Sequence, residues 1–276
     1  MFEDIIGHED VKMKIKEDID MNRISHAYLF SGIDGIGKKM IAIDFAKRIL
    51  GTNKLDTCMD FKLIQKLPDK KDILIEQVRT SIINDVHISP VTGKYKVYII
   101  DDAHLMNSSS QNALLKTLEE PPKYVVIILI TNNEKALLTT VLSRVKKLEF
   151  NKLKDEEVLC ILKKEDKKID DNKLTYANGS VKAALSLSKE DEDNKYLKIE
   201  KLVQAMNKKD MLDIMKVAEE ISFKDEETFN YLQHLFMLEK KYDKIQIIED
   251  AKNRMKQNAN EDIVKQAFII RIKKAG

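Results

Sequence analysis

A single glycine-rich stretch constrains the fold of this chain more than any other feature. It runs Gly32-Ile-Asp-Gly-Ile-Gly-Lys-Lys39 and fits the pattern G-x-x-x-x-G-K. An apolar run, Ala27 to Ser31, precedes it, and a helix-like segment from Lys38 to Leu50 follows it. A strand, a glycine-rich turn and a helix are the context in which this pattern forms a phosphate-binding loop, or P-loop. A turn that only joins strand to helix is the less favoured alternative.

The residues of this loop predict how it would hold a nucleotide. Gly32, Gly35 and Gly37 let backbone N–H groups curve around phosphates, and Lys38 would reach the outer phosphates. The next position normally carries Ser or Thr, whose hydroxyl binds Mg²⁺. Here it is Lys39, a donor that cannot ligate a cation. ATP or ADP binding through Lys38 and the amides stays open, but metal-assisted hydrolysis is expected to be impaired.

Two carboxylates follow a second apolar run, Val97 to Ile100. In this arrangement the first, Asp101, is expected to help hold Mg²⁺, and the second, Asp102, to polarise the attacking water. Active ATPases of this kind usually carry Glu at the second position. Because Asp is one methylene shorter, the carboxylate of Asp102 is expected to fall short of the water.

Two further polar residues are candidates for the same site. Asn132 follows the apolar run Tyr124 to Thr131, where its side chain could read the γ-phosphate. Arg144 follows Ser143, and its planar, permanently charged group suits phosphate stabilisation across an interface. Taken from the residues alone, however, a surface arginine in an ion pair is the better interpretation of Arg144.

Apolar and amphipathic segments alternate through the first 150 residues, which predicts a parallel sheet covered by helices on both faces. Predicted strands are Ala27–Ser31, Phe61–Gln65, Tyr95–Asp101, Tyr124–Thr131 and Lys147–Phe150, and predicted helices are Asp10–Met21, Lys38–Leu50, Asp72–Asn84 and Ser108–Glu120. After Phe150 the pattern is helical throughout. The predicted fold class is therefore α/β plus all-α.

Bulk composition narrows the function classes. The net charge of +2 provides no global field for binding DNA, so a nucleic-acid role would need a local patch or a partner. Cys58 and Cys160 fit neither a disulfide framework nor a metal spacing. The acidic start lacks the apolar core of a signal peptide, and no apolar run approaches the roughly 20 residues that span a bilayer. A cytoplasmic protein without a membrane partner is expected.

Several motifs together resemble the clamp-loader branch of the AAA+ proteins. They are HAYLFSG at 26–32, IEQVR at 75–79, YKVYIIDDAHLMNSSSQNALLKTLEEPP at 95–122 and SR at 143–144. The run QNALLKTLEEPP is the most specific of them. The resemblance is strong over residues 1–150, moderate over 151–188 and weaker beyond.

The resemblance implies three domains: an AAA+ P-loop domain (1–150), a helical lid (151–192) and a helical collar that oligomerises (193–276). It also implies a place in a DNA polymerase III clamp loader, beside ATP-hydrolysing tau/gamma subunits and a delta subunit. Such a loader places the sliding clamp on primed DNA. The resemblance is to a non-motor member whose own ATPase activity is absent or weak, and whose Arg144 would complete the ATP site of a neighbouring motor subunit.

The chain also departs from the family pattern. Lys182 stands where active relatives carry a nucleotide-sensing arginine in the lid, and it keeps the charge but loses the bidentate fork. Members usually carry four zinc-binding cysteines between the P-loop helix and the following strand, where this chain has only Cys58. Four ligands are needed for a closed structural site, so zinc is predicted to be absent.

Two alternatives stay open. An active motor ATPase of the same loader should carry Ser or Thr at position 39 and Glu at position 102, and would usually retain the zinc cysteines. A stand-alone P-loop ATPase outside replication is disfavoured by the run at 111–122 and by the helical C-terminal third.

Overall fold

The structure is a computed structural model, and it describes residues 1–208 and 210–275. The chain divides into two compact units. The first comprises Met1–Ile161 and Asn178–Lys182, and the second comprises Leu162–Ala177 and Ala183–Gly276. The division at residues 150 and 192 that the resemblance implies stays a prediction.

A parallel five-stranded sheet forms the centre of the first unit, in the order β2-β3-β4-β1-β5. The strands are β1 (Ala27–Ser31), β2 (Phe61–Ile64), β3 (Lys96–Ile100), β4 (Val125–Thr131) and β5 (Lys146–Glu149). Every residue of the three central strands is buried, as expected where helices cover both faces of a parallel sheet. The predicted α/β class is confirmed.

The structure has five α-helices before Phe150, one more than the sequence predicted, and one of the four predicted helices differs by more than one residue in its bounds. They are α1 (Glu9–Asp20), α2 (Lys38–Leu50), α3 (Ile75–Val78), α4 (Ser108–Glu119) and α5 (Thr139–Leu142). The helix predicted over Asp72–Asn84 is wrong in its first residues and continues after α3 as a π-helical segment, Arg79–Ile83. Ile73 instead donates its N–H to the carbonyl of Leu105 at 2.9 Å in an isolated parallel bridge. A backbone paired in this way cannot also belong to a helix.

The rest of the described chain is helical, as predicted. Its helices are α6 (Asp155–Lys164), α7 (Asp171–Ala177), α8 (Val181–Leu187), α9 (Lys195–Lys208), α10 (Met211–Glu219), α11 (Glu226–Leu238), α12 (Ile245–Lys256) and α13 (Glu261–Lys274). Asp210, Asp225 and Asn260 cap α10, α11 and α13 by accepting N–H groups of the first turn. Within residues 1–208 and 210–275, no helix has both the length and the apolar character needed to cross a membrane.

Candidate nucleotide site

The candidate site lies at the carboxyl edge of the sheet. Ser31 of β1 is paired with Thr131 of β4, and the N–H of Gly32 donates to the carbonyl of Thr131 at 3.2 Å. Asn132 leaves β4 beside the loop, with its side chain exposed, and Asp101 leaves the adjacent strand β3 at the same edge. Parallel strands therefore gather the loop, the acid pair and the asparagine that the sequence singled out.

All three predicted loop glycines have backbones that favour glycine, with φ +155° at Gly32. Gly35 has φ +75° and Gly37, which precedes α2, has φ +97°. A Cβ atom on Gly35 would lie 2.4 Å from Cβ of Lys182 and 2.6 Å from Oγ of Ser180. The loop thus needs glycine at 35 both for its conformation and for the close approach of another segment.

Lys38, the predicted phosphate-binding lysine, is turned onto its own loop. Its side chain is almost fully buried, and Nζ donates to the carbonyl oxygens of Gly32 at 2.7 Å and Ile33 at 2.5 Å. Burial lowers the pKa of Lys38, while the carboxylates of Asp34, Asp102 and Asp101 act in the opposite sense. The Lys38 ammonium group therefore donates to backbone carbonyls of its own loop, the loop in which it was predicted to bind phosphate.

Lys39 forms an ion pair with the acid expected to hold Mg²⁺. Its Nζ lies 3.1 Å from Oδ2 of Asp101, a side chain only 15% exposed, and Gln65 donates to the same oxygen at 3.0 Å. A Mg²⁺ ion would require oxygen ligands at about 2.0–2.1 Å in octahedral geometry. An ammonium group supplies neither a ligand nor room for one. The residues present therefore do not fit a magnesium ion bound in the usual way of P-loop enzymes.

Asp102 has an unusual backbone for a side-chain-bearing residue, with φ +52° and ψ +47°. Burial, and then the neighbouring charge of Asp101, raise the pKa of Asp102, and His104 opposes them. Backbone outliers of this kind gather at functional sites, where surrounding structure holds them in place. The second carboxylate is thus kept at the edge of the sheet at an energetic cost.

Lys182 lies beside the loop, although it is far away in sequence. Its Nζ is 2.7 Å from Oδ2 of Asp34. Burial raises the pKa of Asp34, but the hydrogen bond and charge of Lys182 outweigh burial and leave that pKa below its usual value. The structure thus brings the predicted lid residue to the phosphate loop.

Arg144 lies apart from the phosphate loop, the acid pair and Asn132. Strand β5 pairs with β1 so that Lys146 is opposite Tyr28, which puts Arg144, just before β5, at the amino edge of the sheet. The loop leaves from the other end of β1. The Arg144 side chain is 33% exposed, with Nη2 2.7 Å from Oε1 of Glu119 and Nη1 donating to the carbonyl of Thr140 at 2.8 Å. Arg144 is therefore presented away from the loop of its own chain.

Gln111 received no role from the sequence, although it lies in the most specific motif. Its side chain is 2% exposed and donates to the carbonyls of Met106 at 2.9 Å and Ala136 at 3.0 Å. Its own oxygen accepts the N–H of Leu138 at 2.7 Å. The amide thereby ties the start of α4 to the segment that leads into α5 and Arg144. The sequence did contain a sign that Gln111 is buried, because it lies three residues before Leu114 and so on the same face of the helix.

No group of three or more His, Cys, Asp or Glu side chains is arranged to hold a metal ion in the described part of the chain. Cys58 is partly buried and Cys160 is exposed, each as a free thiol. The predicted absence of zinc stays a prediction that metal analysis of the purified protein can test.

The sheet, the loop at its carboxyl edge and the helices that follow define a P-loop protein of the AAA+ type. The chain belongs to the family described as "DNA polymerase III, delta subunit", whose sequence model matches residues 7–154. This membership places it among clamp-loader-related subunits of DNA polymerase III.

Similar proteins point to the same class. The chain is 33% identical over 207 residues to the DNA polymerase III subunit gamma of Buchnera aphidicola (strain APS), covering 67% of this chain and 57% of the relative. It is 33% identical over 208 residues to the subunit tau/gamma of Haemophilus influenzae, covering 68% of this chain and 30% of the relative. It thus spans little more than half, or less, of these relatives.

A solved structure matches nearly the whole chain. The DNA polymerase III gamma subunit-related protein of Thermotoga maritima superposes with a TM-score of 0.67 at 18% identity, covering 96% of this chain and 98% of that one. At this identity the likeness shows the fold alone. The predicted combination of a P-loop sheet domain with helical regions is confirmed.

Proposed function

We propose that this chain is a non-motor subunit of a DNA polymerase III clamp loader, of the delta prime type. It would assemble with tau/gamma and delta subunits in the cytoplasm and help to place the sliding clamp on primed DNA. Within this proposal residues 1–150 are the AAA+ domain, 151–192 the lid and 193–276 the collar that assembles. The observation that carries the proposal is the ammonium group of Lys39 on the carboxylate of Asp101.

That ion pair argues against hydrolysis by this chain. P-loop ATPases use Mg²⁺ to bridge the phosphates and to neutralise the charge that develops during phosphoryl transfer. Lys39 forms an ion pair with the carboxylate of Asp101, which would help to hold Mg²⁺, and its ammonium group has no oxygen to ligate the ion. Asp102 adds a second deficit, because its carboxylate is one methylene shorter than the usual Glu. Turnover by this chain alone is expected to be absent or weak.

The position of Arg144 supports a role in trans. It lies at the edge of the sheet opposite its own loop and is partly exposed, so another chain can approach it. Its guanidinium offers a planar set of donors that suits a phosphate group better than an ammonium would. The proposal assigns to Arg144 the stabilisation of charge on ATP bound by a neighbouring motor subunit.

A second candidate is an active motor ATPase of the tau/gamma type. The names of the relatives favour it, because the proteins compared above are called gamma or tau/gamma. The matched regions cover only part of those proteins, and the residues at 39 and 102 argue for the non-motor role. The two candidates differ in one measurable property, which is turnover by the isolated chain.

The deciding experiment measures ATP hydrolysis by the purified full chain with Mg²⁺, beside a tau/gamma subunit from the same organism as a positive control. We expect phosphate release no faster than in a protein-free blank, and rapid release by the tau/gamma subunit. Sustained turnover by this chain, lost on substitution Lys38→Ala, would support the motor candidate instead.

A further inference from the structure

Glu119 lies at the point where α4 ends. Glu120 follows it with φ −125° and ψ +64°, outside the helical range, and Pro121 and Pro122 come next. A proline disfavours helical backbone in the residue before it and lacks the N–H that a further turn would need. The two prolines therefore fix the end of the helix, and with it the backbone that carries Glu119.

A carboxylate is poorly suited to this position by itself. The carbonyl groups at the end of a helix carry partial negative charge, so an acidic side chain in the last turn destabilises the helix. Lys116 is the basic residue of that turn, and the carboxylates of Glu119 and Glu120 follow it. Helix stability thus gives no reason for Glu119, whereas its tertiary contact does.

That contact is with Arg144, whose guanidinium is held from two helices. From α4, Oε1 of Glu119 lies 2.7 Å from Nη2. From α5 and its end, the carbonyl of Thr140 accepts from Nη1 at 2.8 Å, and the hydroxyl of Ser143 accepts from Nη1 at 3.0 Å. Within the described part of the chain, Nε of Arg144 donates to no residue, so it can meet an acceptor from outside.

An ion pair of this kind changes how an arginine is presented. A long side chain at a surface samples several rotamers, and confining it to one costs free energy when a ligand binds. The Glu119 carboxylate favours rotamers of Arg144 in which the guanidinium lies between α4 and α5 before any ligand arrives. A phosphate group that meets the guanidinium there has less side-chain entropy to remove.

We propose that Glu119 is a positioning residue, whose carboxylate holds the guanidinium of Arg144 ready for the phosphates of ATP bound by a neighbouring subunit. Glu119 acts only through Arg144 and does not itself contact the nucleotide. This inference rests on the proposed role of Arg144 in trans, which it extends to a second side chain.

The test is steady-state ATP hydrolysis by the reconstituted loader of tau/gamma, delta and this full chain. Glu119→Gln keeps the size of the side chain and removes its charge. We expect kcat at the neighbouring site to fall about two- to fivefold, the population change that an exposed ion pair can sustain. The KM for ATP should stay unchanged, because the arginine acts on charge that develops in the transition state.

Glu120→Gln is the matched control. Glu120 is exposed at the same end of the same helix and is not the partner of Arg144. The control should leave kcat at the wild-type value, and sizing of each complex confirms that it assembles.

A second arm uses Arg144→Ala as the background. Because Glu119 acts through the arginine, Glu119→Gln should lower turnover no further in a chain that already carries Arg144→Ala. Unchanged turnover of Glu119→Gln, beside a large loss in Arg144→Ala, would overturn this inference and leave the proposed function standing. An equal fall in both backgrounds would also overturn it, because the carboxylate would then act by another route. Wild-type turnover of Arg144→Ala would contradict the proposed function and the inference with it.

Discussion

At the scale of single residues, position 39 decides what the phosphate loop can do. The sequence alone predicted the missing hydroxyl, because the motif fixes which residue should carry it. It could not predict the partner of Lys39, since Asp101 reaches the loop only through the order of strands in the sheet. The structure thus shows that the residue in place of the metal-binding hydroxyl forms an ion pair with Asp101.

Replacement of Lys39 should reveal what its ion pair with Asp101 contributes to stability. Both Lys39→Met and Lys39→Thr leave Asp101 without its ion pair, and we expect each to lower the free energy of unfolding by up to about 1 kcal/mol. Millimolar Mg²⁺ should restore stability in Lys39→Thr, which offers a hydroxyl, more than in Lys39→Met. Thermal midpoints with Mg²⁺ and with EDTA measure this, with Lys14→Met as a surface control. Equal responses of both variants to Mg²⁺ would contradict it.

Asp102 should respond to pH in a defined direction. Burial and Asp101 raise its pKa in the fold above the ordinary 3.8, so the ionised carboxylate destabilises the fold at neutral pH. Asp102→Asn should therefore raise the free energy of unfolding at pH 7, by a few tenths of a kcal/mol after solvent screening. The gain should shrink as pH falls through the raised pKa and vanish below 3.8.

Denaturant titrations of wild type and Asp102→Asn at several pH values measure this difference. The amide also tolerates the left-handed backbone at this position, so strain should not obscure the result. A variant less stable than wild type at pH 7 would show that the carboxylate makes a favourable contact instead.

At the scale of elements, the strongly periodic segments were predictable and the non-local pairings were not. The bounds predicted for β1 and α2 agree with the structure, because an apolar run and an amphipathic helix meet at a glycine-rich turn. The start of the helix before Arg79 was wrong, because Ile73 bonds to a distant segment. The place of Arg144 likewise depends on β5 lying beside β1, which no local pattern encodes.

Substitution of Gln111 tests how much its hydrogen bonds between α4 and the segment before α5 stabilise the fold. Gln111→Leu leaves the carbonyls of Met106 and Ala136 and the N–H of Leu138 without their side-chain partner, at a cost of about 2 kcal/mol in the free energy of unfolding. Urea denaturation measures the loss, and Gln246→Leu on the exposed face of α12 is the control. A Gln111→Leu midpoint equal to that of the control would contradict the role given to this amide.

At the scale of the whole molecule, the chain has the fold of a P-loop protein, and its two candidate sites lie at opposite edges of the sheet. The carboxyl edge carries a loop whose cations bond internally, and the amino edge carries the partly exposed Arg144. Sequence motifs were sufficient for the family and the fold class, because residues 95–122 combine a strand, an acid pair and a helix. The type of subunit was harder to predict, because it depends on a few side chains rather than on the fold.

The most direct test of this account is ATP turnover by a reconstituted loader containing tau/gamma, delta and this chain. With Arg144→Ala, we expect turnover at the neighbouring site to fall about 10²-fold or more, since arginines acting in trans contribute roughly 10³–10⁵ to phosphoryl transfer. Arg79→Ala is the matched control, and sizing of each complex confirms assembly. A complex with Arg144→Ala that assembles and hydrolyses ATP at the wild-type rate would contradict the account.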